Sequence, residues 1–247
     1  MNLLVVDWDY FFPFEQDEAG PALYDWGHFE TPYHLEEVWR DRALDFLLCD
    51  RPLPGTTGRE RRFWSRFRLT PGAVLYYADS NALAWDPRVR AGVRAVWLYD
   101  AHHDCGYGSA DSGAAGQVRC DDWMCAYHRP GAELRVRYPR WRAHAMWSEP
   151  EPRVPVDRRV DDEAPVRVVF DRVFVCRSGA WTPPWLDEAF FAFLRAAPAA
   201  RRVNLDGVRA RRFDREGLER SVAAERAGLA ILRLVQGSPV VGGRRAC

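Results

Sequence analysis

The chain contains no lysine, so arginine alone balances its acidic residues. Its 35 basic and 35 acidic residues give a formal net charge of zero. Proteins that bind nucleic acids or membrane surfaces usually carry a basic excess, which is missing here. We therefore expect neither a nucleic acid nor a membrane among its partners. The absence of lysine also excludes every mechanism that needs a lysine side chain.

Long apolar segments and cysteine motifs are missing as well. No run approaches the roughly 20 apolar residues that span a bilayer. The apolar start leads directly into Asp7 and Asp9 without a preceding basic stretch, which argues against a signal peptide. The six cysteines form no C-x-x-C pair and show no disulfide-framework spacing. These features predict a cytoplasmic protein with reduced thiols.

Apolar runs alternate with helical patterns along the 247 residues, and 47% of the residues are hydrophobic, which is enough for one sizeable core. The alternation predicts a single domain over 1–247 with an α/β fold. The expected architecture is three-layer α/β/α with a mostly parallel sheet, and a flexible tail is expected at about 237–247. Strands are predicted at 3–7, 74–78, 93–98, 133–138, 166–170 and 173–176. Helices are predicted at 31–49, 59–68 and 82–91 and from 182 and 214 onward, and 147–165 is predicted as an excursion.

Two of the predicted strands end in carboxylates. Asp7 ends the first strand, with Asp9 two residues later, and Asp100 and Asp104, with His102 between them, follow the strand at 93–98. Alternate side chains of an extended chain share one face. The carboxyl ends of parallel strands meet at the edge where open α/β sheets build their sites. We therefore expect these five side chains to converge.

Four carboxylates in one crevice raise one another's pKa, at a cost of about 1.4 kcal/mol for each pKa unit. One or two divalent cations would remove this conflict. Oxygen ligands with a single imidazole favour Mn²⁺, Mg²⁺ or similar hard ions over a zinc site of the thiolate type.

Residues 100–104, Asp-Ala-His-His-Asp, resemble the Asp-Ala-His-x-Asp motif of the arginase/agmatinase ureohydrolases. Residues 7–9, Asp-Trp-Asp, resemble the second motif of that superfamily, Asp-x-Asp. Together with Trp-Thr-Pro-Pro-Trp at 181–185, these segments are similar to a divergent branch of the superfamily. That branch contains the peptide arginases, which convert arginine in ribosomally made peptides to ornithine.

The resemblance implies an arginase-like fold, two Mn²⁺ ions and an arginine-containing peptide as substrate. Asp7 and Asp100 would bridge the two ions, Asp104 would complete the shell of the first, and His102 and Asp9 that of the second. Two such ions can hold a hydroxide, which would attack the guanidinium carbon and release urea.

Two departures from the family pattern bear on this interpretation. The Asp-x-Asp strand comes late in ordinary arginases and first here, so the order looks permuted. The strand before Asp-Ala-His-x-Asp normally ends in a histidine ligand, whereas the strand at 74–78 is followed by Asp-Ser-Asn, with Ser80 as the nearest match. Either the first metal is weakly held, or His28, His34 or His103 substitutes, or a single metal binds.

Asp104 and His103 are the candidates for catalytic roles. Asp121 and Asp122 are candidates for pairing with a guanidinium group, with helix capping as the alternative. Trp181 is a candidate for stacking on the guanidinium plane, with a place in the core as the alternative.

Two other interpretations stay open. A first strand that ends in Asp-x-Asp also matches phosphatases of the haloacid-dehalogenase type, with Asp7 as the nucleophile and Mg²⁺ beside it. That interpretation leaves 100–104 without a role and needs a later basic residue, usually lysine. The second is an arginase-like domain whose metal site has decayed and which binds peptides, an interpretation that Ser80 supports.

Overall fold

In the part of the chain that the structure describes, seven strands form one sheet in which every neighbouring pair is parallel. The computed structural model describes residues 1–13, 31, 33–107 and 118–235, except for the side chains of residues 34 and 233–235. The strands are β1 (Asn2–Asp7), β2 (Arg68–Ala78), β3 (Ala95–Tyr99), β4 (Glu133–Tyr138), β5 (Asp157–Val160), β6 (Val169–Cys176) and β7 (Arg201–Asn204). Their order across the sheet is β5-β4-β3-β1-β6-β2-β7.

Helices cover both sides of this sheet, which confirms the predicted three-layer α/β/α fold. The α-helices are α1 (Val38–Leu48), α2 (Glu60–Phe63), α3 (Pro87–Arg90), α4 (Trp123–His128), α5 (Ala145–Ser148), α6 (Asp187–Ala196) and α7 (Arg215–Val235). Short 3-10 segments are Trp8–Phe11, Trp64–Arg66, Asn81–Trp85, Arg140–Arg142 and Pro184–Leu186, and Tyr33–Glu37 is a π-helical turn before α1.

The central strand β1 is buried on both faces. Successive side chains of a strand point to opposite faces of the sheet. Leu3 accordingly joins an apolar cluster with Trp123 of α4, whereas Leu4 joins a second cluster with Phe190 and Phe193 of α6. Burial on both faces explains why β1 is an uninterrupted apolar run in the sequence.

The two edge strands, β5 and β7, were not among the predicted strands. β5 lies within the predicted excursion at 147–165 and has the sequence Asp-Arg-Arg-Val. β7 has the sequence Arg-Arg-Val-Asn and pairs with β2. Both are four residues long, contain no buried residue and are rich in arginine, so they lack the apolar alternation that indicates a strand.

The predicted helix at 82–91 is divided in two. Pro87 occupies the first turn of α3, and Asp86 caps that helix by accepting a hydrogen bond from the backbone N–H of Arg88 at 2.8 Å. Proline cannot continue a preceding helix, because its ring clashes with the previous turn and it lacks an N–H. The predicted strands at 166–170 and 173–176 are instead one strand, β6.

Among the described residues, no helix has the length and apolar character that crossing a membrane requires. The expectation of reduced thiols is wrong for Cys49, which is disulfide-bonded. Four other cysteines are free: Cys105, Cys120, Cys125 and Cys176. The predicted tail at 237–247 and His28 lie outside the described residues, as does the side chain of His34.

The strand register brings the predicted site residues to one edge of the sheet. Val6 pairs with Tyr99, so the next residues along, Asp7 and Asp100, leave their strands side by side. Asp7 and Ala78 both pair with Cys176 on β6, so the end of β2 lies level with that of β1. The segments after β1, β2, β3 and β6 therefore meet above the centre of the sheet.

Candidate metal centre

A tight turn at the end of β1 places Asp7 and Asp9 on one side. Asp7 Oδ1 accepts a hydrogen bond from the backbone N–H of Asp9 at 3.0 Å and so caps the 3-10 segment Trp8–Phe11. Asp9 Oδ1 in turn accepts from the backbone N–H of Ala101 at 3.3 Å, which links the end of β1 to the segment after β3. Both carboxylates are buried, with 3% and 5% of their surface exposed.

The segment after β3 folds back on itself, and the extended chain that we expected there is wrong. β3 ends at Tyr99, and the backbone N–H of His102 donates to Asp100 Oδ1 at 2.8 Å. Asp104 has a positive φ of 49°, in the left-handed region. The fold-back nevertheless directs the side chains of Asp100, His102 and Asp104 toward the end of β1.

Three of these residues form the best-defined set of ligand atoms. His102 Nδ1 lies 3.0 Å from Asp9 Oδ2 and 3.5 Å from Asp100 Oδ1. The ligand atoms of all three residues lie within 4.8 Å of one another, a spacing that could hold a metal ion. Oxygen with one imidazole nitrogen is the donor set that Mn²⁺ and similar ions accept.

The remaining carboxylates, Asp7 and Asp104, face Asn81, which was not among the predicted site residues. Asn81 Nδ2 lies 2.7 Å from Asp7 Oδ2, 2.9 Å from Asp104 Oδ2 and 3.4 Å from Asp100 Oδ2. Ser80 does not face the cluster, because its Oγ accepts a hydrogen bond from the backbone N–H of Ala82 and caps the segment Asn81–Trp85. The position predicted for Ser80 is therefore taken by its neighbour.

Two further side chains support the carboxylates from outside. Trp123 Nε1 donates to Asp104 Oδ2 at 2.7 Å, and Ser178 Oγ donates to Asp7 Oδ2 at 2.5 Å. Ser178 follows the end of β6 and has a positive φ of 50°. The sequence signal for Ser178 is its place directly beyond a strand that neighbours β1, since its type alone would not identify it.

The four carboxyl groups give the cluster an excess of acidic side chains, and this shifts their pKa values. Burial raises the pKa of Asp7 well above its usual value, and the charge of Asp9 raises it further. Burial and the charges of Asp9, Asp104 and Asp7 do the same to the pKa of Asp100. Burial also raises the pKa of Asp104 to about 7, against the hydrogen bond from Trp123.

His102 and Asp9 behave as an ion pair within this cluster. Burial would lower the pKa of His102, but its hydrogen bonds to Asp100 and Asp9 raise that pKa well above the usual value. Burial would raise the pKa of Asp9, but the hydrogen bond and charge of His102 lower it. Among the described residues, His102 is the only side chain in direct contact with these carboxylates that can carry a positive charge.

His103 is not brought into the cluster, although it was a candidate for a catalytic role and for a substitute ligand. Its ring stacks on Tyr107 with centroids 4.4 Å apart. Nδ1 accepts from the backbone N–H of Cys105, and Nε2 lies 2.9 Å from the carbonyl oxygen of Pro150. Burial lowers its pKa to about 4, so it is a neutral residue that fixes the turn. Of the two adjacent histidines, the one that faces the carboxylates is His102, which was predicted as a ligand.

The candidates for substrate contacts lie around the cluster. The ring centroids of Trp181 and His102 lie 5.5 Å apart, so the Trp181 side chain lines the site beside His102. Asp121 is buried, and its charge contributes to the raised pKa of Asp104. Asp122 occupies the position before α4, but its Oδ1 accepts from the backbone N–H of Arg119 and makes no capping bond to the helix.

A buried ion-pair network holds the segment that carries Ser178 and Trp181. Arg177 binds both carboxylate oxygens of Asp79 at 2.5 and 2.6 Å, and its Nη1 binds Asp187 Oδ2 at 2.8 Å. Arg211 Nη2 donates to the other oxygen of Asp187 at 2.6 Å. The network joins the ends of β2 and β6 to the start of α6.

No protein-family model, no curated protein and no solved structure matches this chain. The resemblance to the arginase/agmatinase superfamily therefore stays a prediction that depends on the residues themselves. The convergence of the five side chains at one sheet edge is the structural observation on which a function can be argued.

Proposed function

We propose that this chain is a divalent-cation-dependent amidinohydrolase that converts arginine in a ribosomally made peptide to ornithine with release of urea. The observation that carries the proposal is the convergence of Asp7 and Asp9, from β1, with Asp100, His102 and Asp104, from the segment after β3. These segments are about 90 residues apart in sequence and share one edge of the sheet.

The donor set fits hard divalent cations, with Mn²⁺ as the ion that the proposal names. Asp7, Asp9, Asp100 and Asp104 are each at most 6% exposed. Buried carboxylates without a counter-ion are costly and take up protons instead, as the raised pKa values of Asp7, Asp100 and Asp104 indicate. Divalent cations would replace those protons and, when bound, would supply the electrostatic activation of water that hydrolysis of a guanidinium group needs.

The remaining side chains would bind and orient the substrate. Trp181 offers an aromatic face beside His102, on which a planar guanidinium group can stack by cation–π attraction. Asp121 would add negative charge on the Asp104 side of the cluster. In the proposed reaction water adds to the guanidinium carbon, the bond from that carbon to the side-chain nitrogen breaks, and the leaving amine takes up a proton. The products are ornithine and urea.

The same geometry disfavours a phosphatase of the haloacid-dehalogenase type. A nucleophilic Asp7 would need an oxygen open to the substrate, but Oδ1 accepts from Asp9, and Oδ2 accepts from Ser178 and Asn81. The phosphatase interpretation also leaves His102 and Asp104 without a role. Phosphate release from a generic ester is the result that would favour it.

The test is incubation of the Mn²⁺-loaded chain with peptides that contain arginine, followed by mass spectrometry. Metal-assisted hydrolysis removes CN₂H₂ from each arginine, a loss of about 42 Da, with urea as the second product. Asp100→Asn should abolish this loss, because Asp100 contacts His102 and faces Asn81. Asp162→Asn, at an exposed aspartate after β5, is the matched control and should keep full activity.

The outcomes separate the proposal from its alternatives. Stoichiometric cation binding with no mass loss on any arginine peptide would overturn the assigned reaction and keep the cation site. Neither cation binding nor mass loss would favour a peptide-binding domain whose metal site has decayed. Equal mass loss in Asp100→Asn and in the unmodified chain would show that the reaction occurs elsewhere.

A further inference from the structure

Asn81 occupies the point where three of the carboxylates meet. Its side chain is buried, with 4% exposure, and its Nδ2 is surrounded by Oδ2 of Asp7, Asp100 and Asp104 at 2.7, 3.4 and 2.9 Å. An amide NH₂ group has two hydrogens and so cannot satisfy three acceptors at once. The amide nitrogen therefore lies where the surrounding oxygens favour a positive charge.

The other end of the same amide has no hydrogen-bond partner. Asn81 Oδ1 is buried and receives no hydrogen bond from the part of the chain that the structure describes. A buried acceptor without a donor costs about 1–3 kcal/mol. Nitrogen and oxygen of an asparagine side chain exchange places by a half-turn of the amide, and their assignment follows the hydrogen-bond network. After that half-turn the oxygen would face the three carboxyl groups, an arrangement that a cation bound between them would stabilise.

We propose that the Asn81 carboxamide oxygen is a ligand in an all-oxygen cation position formed with Asp7, Asp100 and Asp104. This inference rests on the proposed cation-dependent function and adds a ligand that the sequence motifs do not supply. The position is distinct from the set of Asp9, Asp100 and His102, which includes an imidazole.

Asp100 connects the two positions. Its Oδ1 lies 3.5 Å from His102 Nδ1, and its Oδ2 lies 3.4 Å from Asn81 Nδ2. One carboxylate with an oxygen toward each group is the arrangement expected of a bridging ligand. Because the Asn81 position offers only oxygen, it should prefer Mg²⁺ or Mn²⁺ over Zn²⁺, which nitrogen and sulfur ligands favour.

The inference can be tested by counting ions on the full chain. The metal-free protein is dialysed against Mn²⁺, Mg²⁺ or Zn²⁺, and bound metal is measured by inductively coupled plasma mass spectrometry. We expect two Mn²⁺ ions per chain for the unmodified protein and one for Asn81→Leu, which removes the oxygen. Ser80→Ala is the matched control, since the Ser80 hydroxyl only caps the adjacent segment and both ions should stay bound.

A second variant covers the case in which Asn81→Leu fails to fold. Asn81→His replaces the amide with an imidazole, and it should raise the preference for Zn²⁺ over Mn²⁺ by about tenfold or more. Pulsed electron paramagnetic resonance of bound Mn²⁺ then separates ligation from structural support. In His102→Ala the bound Mn²⁺ should show no hyperfine coupling to an imidazole nitrogen. The double variant His102→Ala with Asn81→His should restore that coupling.

The results distinguish failure of this inference from failure of the proposed function. If the unmodified chain binds no cation and leaves arginine peptides unchanged, both are wrong. If it binds cations and converts peptides while Asn81→Leu keeps both ions, only the role of Asn81 is wrong. An unchanged metal preference in a folded Asn81→His variant would also overturn the role of Asn81.

Discussion

Ser178 favours the ionised form of Asp7 through a hydrogen bond. The 2.5 Å contact between Ser178 Oγ and Asp7 Oδ2 lowers the pKa of Asp7, against the stronger effect of burial. A cation must compete with a proton for this carboxylate. A residue that favours the ionised form therefore favours cation binding, although it would not touch the ion.

Removal of that hydroxyl should weaken cation binding without unfolding the protein. We expect Ser178→Ala to lower the affinity for Mn²⁺ by about 10–100-fold, the usual cost of losing a hydrogen bond to a metal ligand. Isothermal titration calorimetry would measure it. Ser178→Gly is the companion variant, because glycine accepts the positive φ of 50° at this position. Ser178→Gly should be more stable than Ser178→Ala by about 0.5–1 kcal/mol, and both variants should bind the cation equally weakly. Unchanged affinity in both variants would contradict the role of Ser178.

Strand ends and residue types allowed part of the site to be predicted. Asp7 ends β1 and Asp100 directly follows β3, so the pairing of these parallel strands brings the two carboxylates together, and Asp9 lies in the turn that follows β1. Asn81 and Ser178 could not be identified in this way, because the exact residue that turns inward depends on the local cap. Ser80 directs its hydroxyl to its own backbone, and the amide of the next residue faces the carboxylates instead.

Arg177 links three elements at the edge of the sheet that carries the site. Its guanidinium group contacts Asp79 after β2 and Asp187 at the start of α6, and it is itself 2% exposed. Buried charges of this kind are stable only while each has its partner. The network therefore fixes the path of the segment from 177 to 187, on which Ser178 lies.

Replacement of Arg177 should destabilise the fold strongly. Arg177→Met leaves Asp79 without its partner, and we expect the free energy of unfolding to fall by about 3–5 kcal/mol, measured by urea titration. Arg88→Met is the control, since Arg88 is 55% exposed and solvent screens its pair with Asp86, so the free energy of unfolding should change little. Equal losses in the two variants would show that the Arg177 network adds no special stability.

The elements themselves could be predicted where apolar periodicity is strong. The buried strand β1 and the long helix α7 match their predicted positions closely. The edge strands β5 and β7 were missed because their charged and polar residues leave no apolar alternation, and pairing with β4 and β2 defines them. Strand pairing between distant segments is not visible in a local pattern.

The molecule as a whole has no excess charge, yet it concentrates carboxylates at one point of its sheet. A carboxyl whose pKa is raised by folding binds more protons in the folded than in the unfolded state, from its ordinary pKa up to the raised value. Asp7, Asp100 and Asp104 are of this kind, with Asp104 raised to about 7. His102 is also raised, so it acts in the same direction above about pH 6.5, whereas Asp9 is lowered and acts only at more acidic pH.

The metal-free protein should therefore lose stability as the pH rises from about 5 to 8. Each excess proton held by the folded state lowers the free energy of unfolding by about 1.4 kcal/mol per pH unit. Bound cations replace those protons, so saturating Mn²⁺ should remove the slope or reverse it, and stabilisation by the ion should grow with pH. Urea titrations at several pH values, with a chelator or with Mn²⁺, would measure both slopes.

Asp100→Asn removes one of the carboxyl groups whose pKa is raised. The slope of the metal-free protein should therefore become shallower by the amount that corresponds to about one proton. A metal-free protein that becomes more stable across this pH range would show that the carboxylates are ionised and compensated by other means.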